Sequence, residues 1–246
     1  MESVIEVKDL SLEIGSKKIL SDISFSLEKG SFTAICGRNG AGKSQLLRIL
    51  KGLRKPTSGS IYIKGEDVTK NKNKRLSSVG LVFQESDLQI VGETVEKDLM
   101  FGPENLLWSN DRIEAKVNEM LELFSLSKLR NRRPATLSGG EKRRLAIASV
   151  LAMEPDIIFL DEPFAALDYP SVLSLLDTLI MLHNKGVTLA IVTHEAERFL
   201  AHTTHTLLLK EGSVIFDGPS KDSLNVLKKA DVFIPNLSFE ELSWKM

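Results

Sequence analysis

The chain has 246 residues, 42% hydrophobic and 26% charged, enough for one large α/β domain with a substantial core. A formal net charge of −1 supplies no basic face of the kind that phosphate-backbone binding needs, which argues against a nucleic-acid partner. The one cysteine, Cys36, excludes an internal disulfide and fits a reducing compartment, and no apolar run approaches the ~18 residues of a transmembrane helix.

Met1 to Glu6 lacks the basic and apolar regions of a signal peptide, so the chain is expected to stay in the cytosol unless a partner holds it. Val4-Ile5-Glu6-Val7 and Ile23-Ser24-Phe25-Ser26-Leu27 alternate as antiparallel strands of a small sheet, separated by Gly15-Ser16-Lys17-Lys18. Phe32 to Cys36 reads as a strand, with Cys36 a small core residue. It leads into Gly37-Arg38-Asn39-Gly40-Ala41-Gly42-Lys43-Ser44 and then a helix on which Leu46, Leu47, Ile49, Leu50 and Leu53 recur, fraying at Gly52 and Pro56.

A glycine loop between strand and helix is a phosphate cradle. Glycine reaches backbone angles closed to other residues, so consecutive N–H groups turn inward as a positively polarised nest, and the helix N-terminus adds its dipole. Lys43 would reach the β and γ phosphates, and the Ser44 hydroxyl would take a position on Mg²⁺. Four specified positions arise by chance in roughly one protein of this size in a hundred, so the flanking strand and helix decide the assignment to a nucleoside triphosphate.

Further on, Ser60-Ile61-Tyr62-Ile63 and Val79 to Phe83 are two more strands. The basic run Lys70 to Arg75 between them is read as a solvated loop, with contact to an anionic membrane surface as the alternative. Gln84 opens a polar, hinge-like connector. Asp111 and Glu114 have capping-box spacing ahead of a helix with the stripe Ile113, Val117, Met120, Leu121 and Phe124. Residues from about 90 to 153 are expected to be predominantly helical, ending with Leu137-Ser138-Gly139-Gly140-Glu141 and the apolar stretch Leu145 to Met153. Asp156 to Leu160 is a continuous apolar run, typical of a strand buried on both faces of a parallel sheet, and Asp161-Glu162 stand at its carboxyl end, where such sheets place ligands. Helix 170 to 183, strand Val187 to Val192 and Thr193-His194 repeat the rhythm. Leu207 to Leu209, Val214 to Phe216, a short helix near 221 to 229 and a tail close the chain.

In order, Gly37 to Ser44, Gln84, Leu137 to Glu141, Ile157 to Glu162, Ala166-Leu167-Asp168 and His194 resemble the nucleotide-binding domain of ATP-binding cassette (ABC) proteins. The resemblance covers nearly the whole chain. It implies an α/β P-loop NTPase fold with a RecA-like core, a small antiparallel β subdomain, a helical subdomain at about 90–153 and a short extension at about 220–246, all in one domain of 1–246. The cofactors implied are ATP and Mg²⁺. ATP would contact Gly37, Arg38, Asn39, Gly40, Ala41, Gly42, Lys43 and Ser44, with Gln84 and, from a partner, Ser138, Gly139, Gly140 and Glu141; Ser44, Gln84 and Asp161 would serve the metal. Lys43, Gln84, Glu162 and His194 would be catalytic, Glu162 as the base that polarises water and His194 as the group that bonds the γ-phosphate.

Ser138-Gly139-Gly140 is a second nest at a helix start, and one γ-phosphate cannot fill two nests in one fold. The family resolves this with a second ATPase subunit, alike or different, packed head to tail, with Asp168 connecting the two sites. Departures from the family pattern are Ile14 where an aromatic usually stacks on adenine, Glu141 where glutamine is commonest, and Phe164, which is assigned no role. His183, His202 and His205 are read as structural.

The segment from Val82 to Gln89, with Glu93 to Leu99 and Phe101-Gly102-Pro103-Glu104-Asn105-Leu106, resembles the ATPase subunit of energy-coupling factor (ECF) transporters, which take up vitamins or transition-metal ions. That implies a peripheral position on the cytoplasmic face of the cell membrane, an integral membrane coupling subunit and a substrate-binding membrane subunit. Leu88, Ile90, Val91, Leu99, Met100 and Phe101 are candidates to line the groove for the coupling helix, the alternative for each being a place in the domain's own core, to which some of them must belong. A conventional ABC importer ATPase, or a soluble ABC ATPase of translation, repair or iron–sulfur assembly, is the alternative.

Overall fold

The computed structural model describes residues 2–244. In chain order the strands and helices are β1 (Ser3–Ile14), β2 (Lys17–Glu28), β3 (Phe32–Cys36), α1 (Lys43–Leu50), β4 (Ser58–Ile63), β5 (Glu66–Asp67), α2 (Lys72–Ser78), β6 (Val79–Val82), α3 (Val95–Asn105) and α4 (Asn110–Leu123). They continue with α5 (Gly139–Leu151), β7 (Ile157–Asp161), α6 (Tyr169–Asn184), β8 (Leu189–Thr193), β9 (His205–Lys210), β10 (Ser213–Pro219) and α7 (Leu224–Lys229). Among the described residues the strands form an antiparallel sheet, β2-β1-β4-β5, and a six-stranded sheet, β10-β9-β3-β8-β7-β6. In the latter β6, β7, β8, β3 and β9 run parallel, and β10 turns back along β9.

The parallel strands are short and apolar because both faces are covered. Successive side chains point to opposite faces. Phe32, Ala34, Ile158, Leu160, Leu189 and Ile191 enter the core shared with α4, α5 and α6. Ile35, Ile157, Phe159, Ala190 and Val192 enter a second core with α1 and the inward residues of β1 and β2. Cys36 lies in the first core, and burial pushes its thiol up to about 12, which leaves it protonated and inert. Every loop after a parallel strand therefore opens on one edge, the carboxyl edge of the sheet.

Four expectations are corrected. The run Lys70 to Arg75 is not a loop: Asn71 caps α2, its side chain accepting the Lys74 N–H at 3.1 Å, and the turn carries Arg75 inward to 2% exposure while Lys72 and Asn73 face water. Helix α1 stops at Leu50, because Gly52 takes φ 85° and turns the chain, so Leu53 is exposed rather than on the apolar stripe. The box foreseen at Asp111 and Glu114 does not form, since α4 starts two residues earlier than that box requires, at Asn110, behind a Ser109 that makes no capping bond. Leu99 is fully buried in the core rather than in a surface groove.

Candidate active site

Walker-type loop, carboxylates and histidine meet at the carboxyl edge. β3 delivers Gly37 to Ser44, β6 delivers Gln84, β7 delivers Asp161 and Glu162, and β8 delivers Thr193 and His194. A cleft of about 430 Å³ is lined by Ile19, Asn39 to Gln45, Gln84, Asp161, Glu162 and His194.

The loop is shaped for an anion. Gly42 caps α1 at φ 100°, and a Cβ there would lie 2.6 Å from Leu20 Cδ2; Gly37, at φ 149°, would drive a Cβ into the Leu209 carbonyl. No side chain caps the start of α1, so its first N–H groups face the cleft without a protein acceptor from the cap. Lys43 Nζ donates to the carbonyls of Gly37 at 2.6 Å and Arg38 at 3.2 Å, bracing the loop's curve. Burial lowers its pKa, while Glu162 and Asp161 favour the charged form. Asp161 is raised, chiefly by burial, and accepts a hydrogen bond from the Ser44 side chain. An alcohol and a carboxylate oxygen thus stand together beside the phosphate nest, a donor set suited to a hard cation such as Mg²⁺. These residues fit ATP and its metal.

Glu162 is the most constrained of the group. It is 9% exposed and holds φ 45°. Its Oε2 accepts from Thr193 Oγ1 at 2.7 Å, and its Oε1 accepts from the His194 N–H at 3.2 Å and lies 2.7 Å from His194 Nδ1. The base candidate and the histidine are therefore one hydrogen-bonded unit. Asp168 accepts the Ser171 N–H at 3.1 Å and caps α6 with its carboxyl below the usual range through those Ser171 hydrogen bonds.

Ser138 to Glu141 stand apart from the cleft, at the start of α5. There Ser138 and Glu141 form the reciprocal capping box: Glu141 N–H donates to Ser138 Oγ at 3.3 Å and Ser138 N–H donates to Glu141 Oε2 at 2.7 Å. Glu141 serves as a glutamine would, because either side chain can accept at that position. Ile14 does not line the cleft; Ile19 does. Phe164 is core, its ring centroid 5.6 Å from that of Phe199 at a 44° tilt. His202 bonds Ser243 and His205 bonds Asp217, while His183 packs on Phe32, so all three have structural partners.

Of the groups that hold the site, sequence reasoning singled out only Gln89, as the partner of Gln84 in the ECF-type segment, and missed the others. Thr193 positions Glu162. The buried Arg143 on α5 donates to the carbonyls of Phe83 at 2.8 Å and Gln84 at 2.6 Å. Gln89 bridges Phe83 N–H and Leu81 carbonyl, and buried Asp98 accepts Val91 and Gly92 N–H groups at 2.8 and 2.9 Å. Arg143 stands in the basic run Lys142-Arg143-Arg144 ahead of the apolar stretch Leu145 to Met153, and nothing in that run marks it as the member that turns inward.

A strand, glycine loop and helix, with carboxylates at the end of β7, one strand removed across β8 in the same parallel sheet, define a P-loop nucleoside triphosphatase. The model of the ABC transporter family matches residues 20–165, and the chain belongs to that family as an ATP-binding, ATP-hydrolysing protein. It is similar to the energy-coupling factor transporter ATP-binding protein EcfA of Methanococcus maripaludis, 36% identical over 96% of this chain and 87% of that one. Against EcfA2 of Clostridium tetani the identity is 37%, over 91% of this chain and 81% of the relative. Against EcfA2 of Methanospirillum hungatei it is 38%, and there the chain spans 58% of the relative's length. The solved cbiO1 from Clostridium perfringens, described as part of the ABC transporter complex cbiONQ, superposes with a TM-score of 0.85 at 32% identity, over 96% of this chain and 97% of that one.

Proposed function

We propose that this chain is the ATP-hydrolysing subunit of an ECF-type transporter that takes up a vitamin or a transition-metal ion. Residues 37–44 hold the phosphates, Ser44, Gln84 and Asp161 serve Mg²⁺, Glu162 polarises the attacking water and His194 contacts the γ-phosphate. A second ATPase subunit supplies Ser138 to Glu141 to close the site, and Asp168 links the two sites. The Mg²⁺ those residues would hold would supply neutralisation of phosphate charge.

The observation that carries the transport reading is the segment beyond Gln84. Arg143 and Gln89 fasten its base to α5 and to the sheet end, so movement at Gln84 is passed to the helical region as a rigid-body shift. The same segment presents Leu88, Val91 and Phe101 at 75%, 60% and 52% exposure, beside a cleft lined by Asp87, Ile90, Val91, Gly92 and Pro134. Solvent-exposed apolar residues in a polar frame fit a docking helix from a membrane subunit. Held by that subunit, the chain would sit peripherally on the cytoplasmic face of the membrane; no described helix is long and apolar enough to cross it.

The test is a pull-down from detergent-solubilised native membranes with the tagged chain, read by mass spectrometry. Polytopic membrane subunits are expected with the wild type and are lost with Val91→Glu and Phe101→Glu, whose basal ATPase rate stays near normal. Recovery of ribosomal, repair or cluster-assembly proteins alone would sink the transport reading.

A further inference from the structure

The end of the chain returns to the catalytic edge. Leu242 is fully buried, and its carbonyl accepts the Ala201 N–H at 3.0 Å, which anchors the tail on the core. Two residues on, Trp244 is only half-buried and makes a different set of contacts. Its N–H donates to the Arg198 carbonyl at 3.0 Å, and its carbonyl accepts from the Tyr169 hydroxyl at 3.2 Å. Its indole packs on the Tyr169 ring at 5.5 Å with a 42° tilt, and the Arg198 guanidinium lies 4.4 Å from its centroid.

Both partners of the indole belong to segments that carry the chemistry. Tyr169 follows Asp168 and opens α6. Arg198 lies four residues after His194, and its two terminal nitrogens donate to the Phe164 carbonyl at 3.2 Å and to Glu195 Oε1 at 2.9 Å. Phe164 is two residues past Glu162, and Glu195 adjoins His194. One aromatic side chain therefore joins the segments after Glu162, after His194 and after Asp168. A tilted aromatic pair and a cation over a ring each prefer a defined geometry, and here they share one ring. A shift of Tyr169 is felt at Arg198, and the reverse.

We propose that Trp244 is a positioning residue for ATP hydrolysis: through Tyr169 and Arg198 it holds the Asp168 turn and the His194 segment in register. This rests on the site being an ATPase. Leu242 is the tail's fully buried anchor, while the half-buried indole packs on the edge of the same core, so the test reads kcat against KM and rescue by a second ring rather than stability.

The chain has two tryptophans, and Trp108 sits on the helical region with Arg112 3.4 Å from its ring centroid. Full-length protein carrying Trp108→Phe therefore reports Trp244 alone. MgATP is expected to change the emission of that tryptophan, and Lys43→Ala is expected to abolish the change. In steady-state assays Trp244→Ala should lower kcat about 10-fold with KM for ATP within about twofold, because small misplacements far from the reacting atoms are costly in rate. Trp244→Phe, which keeps a ring between the two partners, should recover most of the loss, and Trp244→Ala should add nothing in a Tyr169→Ala background. An unchanged kcat in Trp244→Ala, a change in KM alone, a phenylalanine variant as slow as the alanine one, or an emission blind to MgATP would each overturn the proposal. A wild-type chain no faster than Glu162→Gln would instead remove the ATPase assignment, and this inference with it.

Discussion

Glu162 holds a left-handed backbone at φ 45°, a conformation that costs a non-glycine residue about 1–3 kcal/mol and persists only where neighbours over-determine it. The neighbours are on the page: its N–H donates to the Val192 carbonyl at 2.8 Å, and its two carboxylate oxygens take three protein contacts from Thr193 and His194. Such a residue is aimed. Glu162→Gln should still bind MgATP, since the loop is intact, but turnover should fall about 10²-fold or more and dimers should accumulate with ATP. Near-normal steady-state turnover would refute the role of Glu162. Thr193→Val removes the hydroxyl from Oε2 and should slow turnover about 10-fold at unchanged equilibrium ATP binding, since a loosely held base loses its orientation; loss of binding instead would point to collapse of the site. The placement of Lys43 and Glu162 at the cleft was legible because each stands in a local motif, whereas His194 entered only through the resemblance to ABC proteins. Thr193 was not, since a threonine ending a buried strand reads as ordinary strand composition.

At the scale of elements, side chains running from one element to the backbone of another fix how the pieces meet. Lys51, just past α1, donates from Nζ to the carbonyls of Leu76 at 2.7 Å and Val79 at 2.6 Å, so a cation sits at the carboxyl end of α2 and ties the phosphate-loop helix to β6. Burial lowers its pKa from 10.5 to about 8. The folded chain therefore holds this proton less tightly than the unfolded chain. Between about pH 8 and 10.5 the unfolded state binds more protons, so this group makes stability rise with pH across that window, and the gain is lost as pH falls through about 8. Denaturant unfolding of wild type and Lys51→Met over that window should show a stability difference that changes with pH; two parallel curves would refute the link, whatever their offset. Neither Lys51 nor α2 was legible in the sequence. A lysine-rich run scores as solvent-exposed, and nothing in its order reveals that Arg75 turns inward or that Lys51 caps the next helix. The parallel strands were legible because double-sided burial writes a continuous apolar run, and the capping box was misplaced because Ser138-x-x-Glu141 and Asp111-x-x-Glu114 differ only in where the helix begins.

For the whole molecule, the order of motifs along the chain was enough to foresee the two-sheet architecture, while the second phosphate nest demands something a single chain does not hold. The nest at Ser138 and Gly139 is exposed, a Cβ on Gly139 would meet nothing within 4 Å, and the cleft around Lys43 includes none of residues 138–141. Ser138 is already placed by its box with Glu141, so the helix start is held rigid with its open face outward. On the proposed function, this helix start would complete the open cleft of another copy or of a related ATPase subunit. Head-to-tail packing then predicts complementation. A Ser138→Arg chain keeps a working loop and a Lys43→Ala chain keeps a working nest, so each alone should be nearly inactive, whereas their mixture should form dimers with one intact composite site and recover ATPase activity. Where both sites must fire together the rate stays low, and location becomes the readout. A photoreactive ATP analogue bound to the Ser138→Arg chain should label residues 138–140 of the Lys43→Ala chain, which tags of different mass resolve. Labelling of residues 138–140 in the same chain that binds the analogue would overturn the head-to-tail arrangement, because it would require the nest of α5 and the loop before α1 to close on one nucleotide within a single fold.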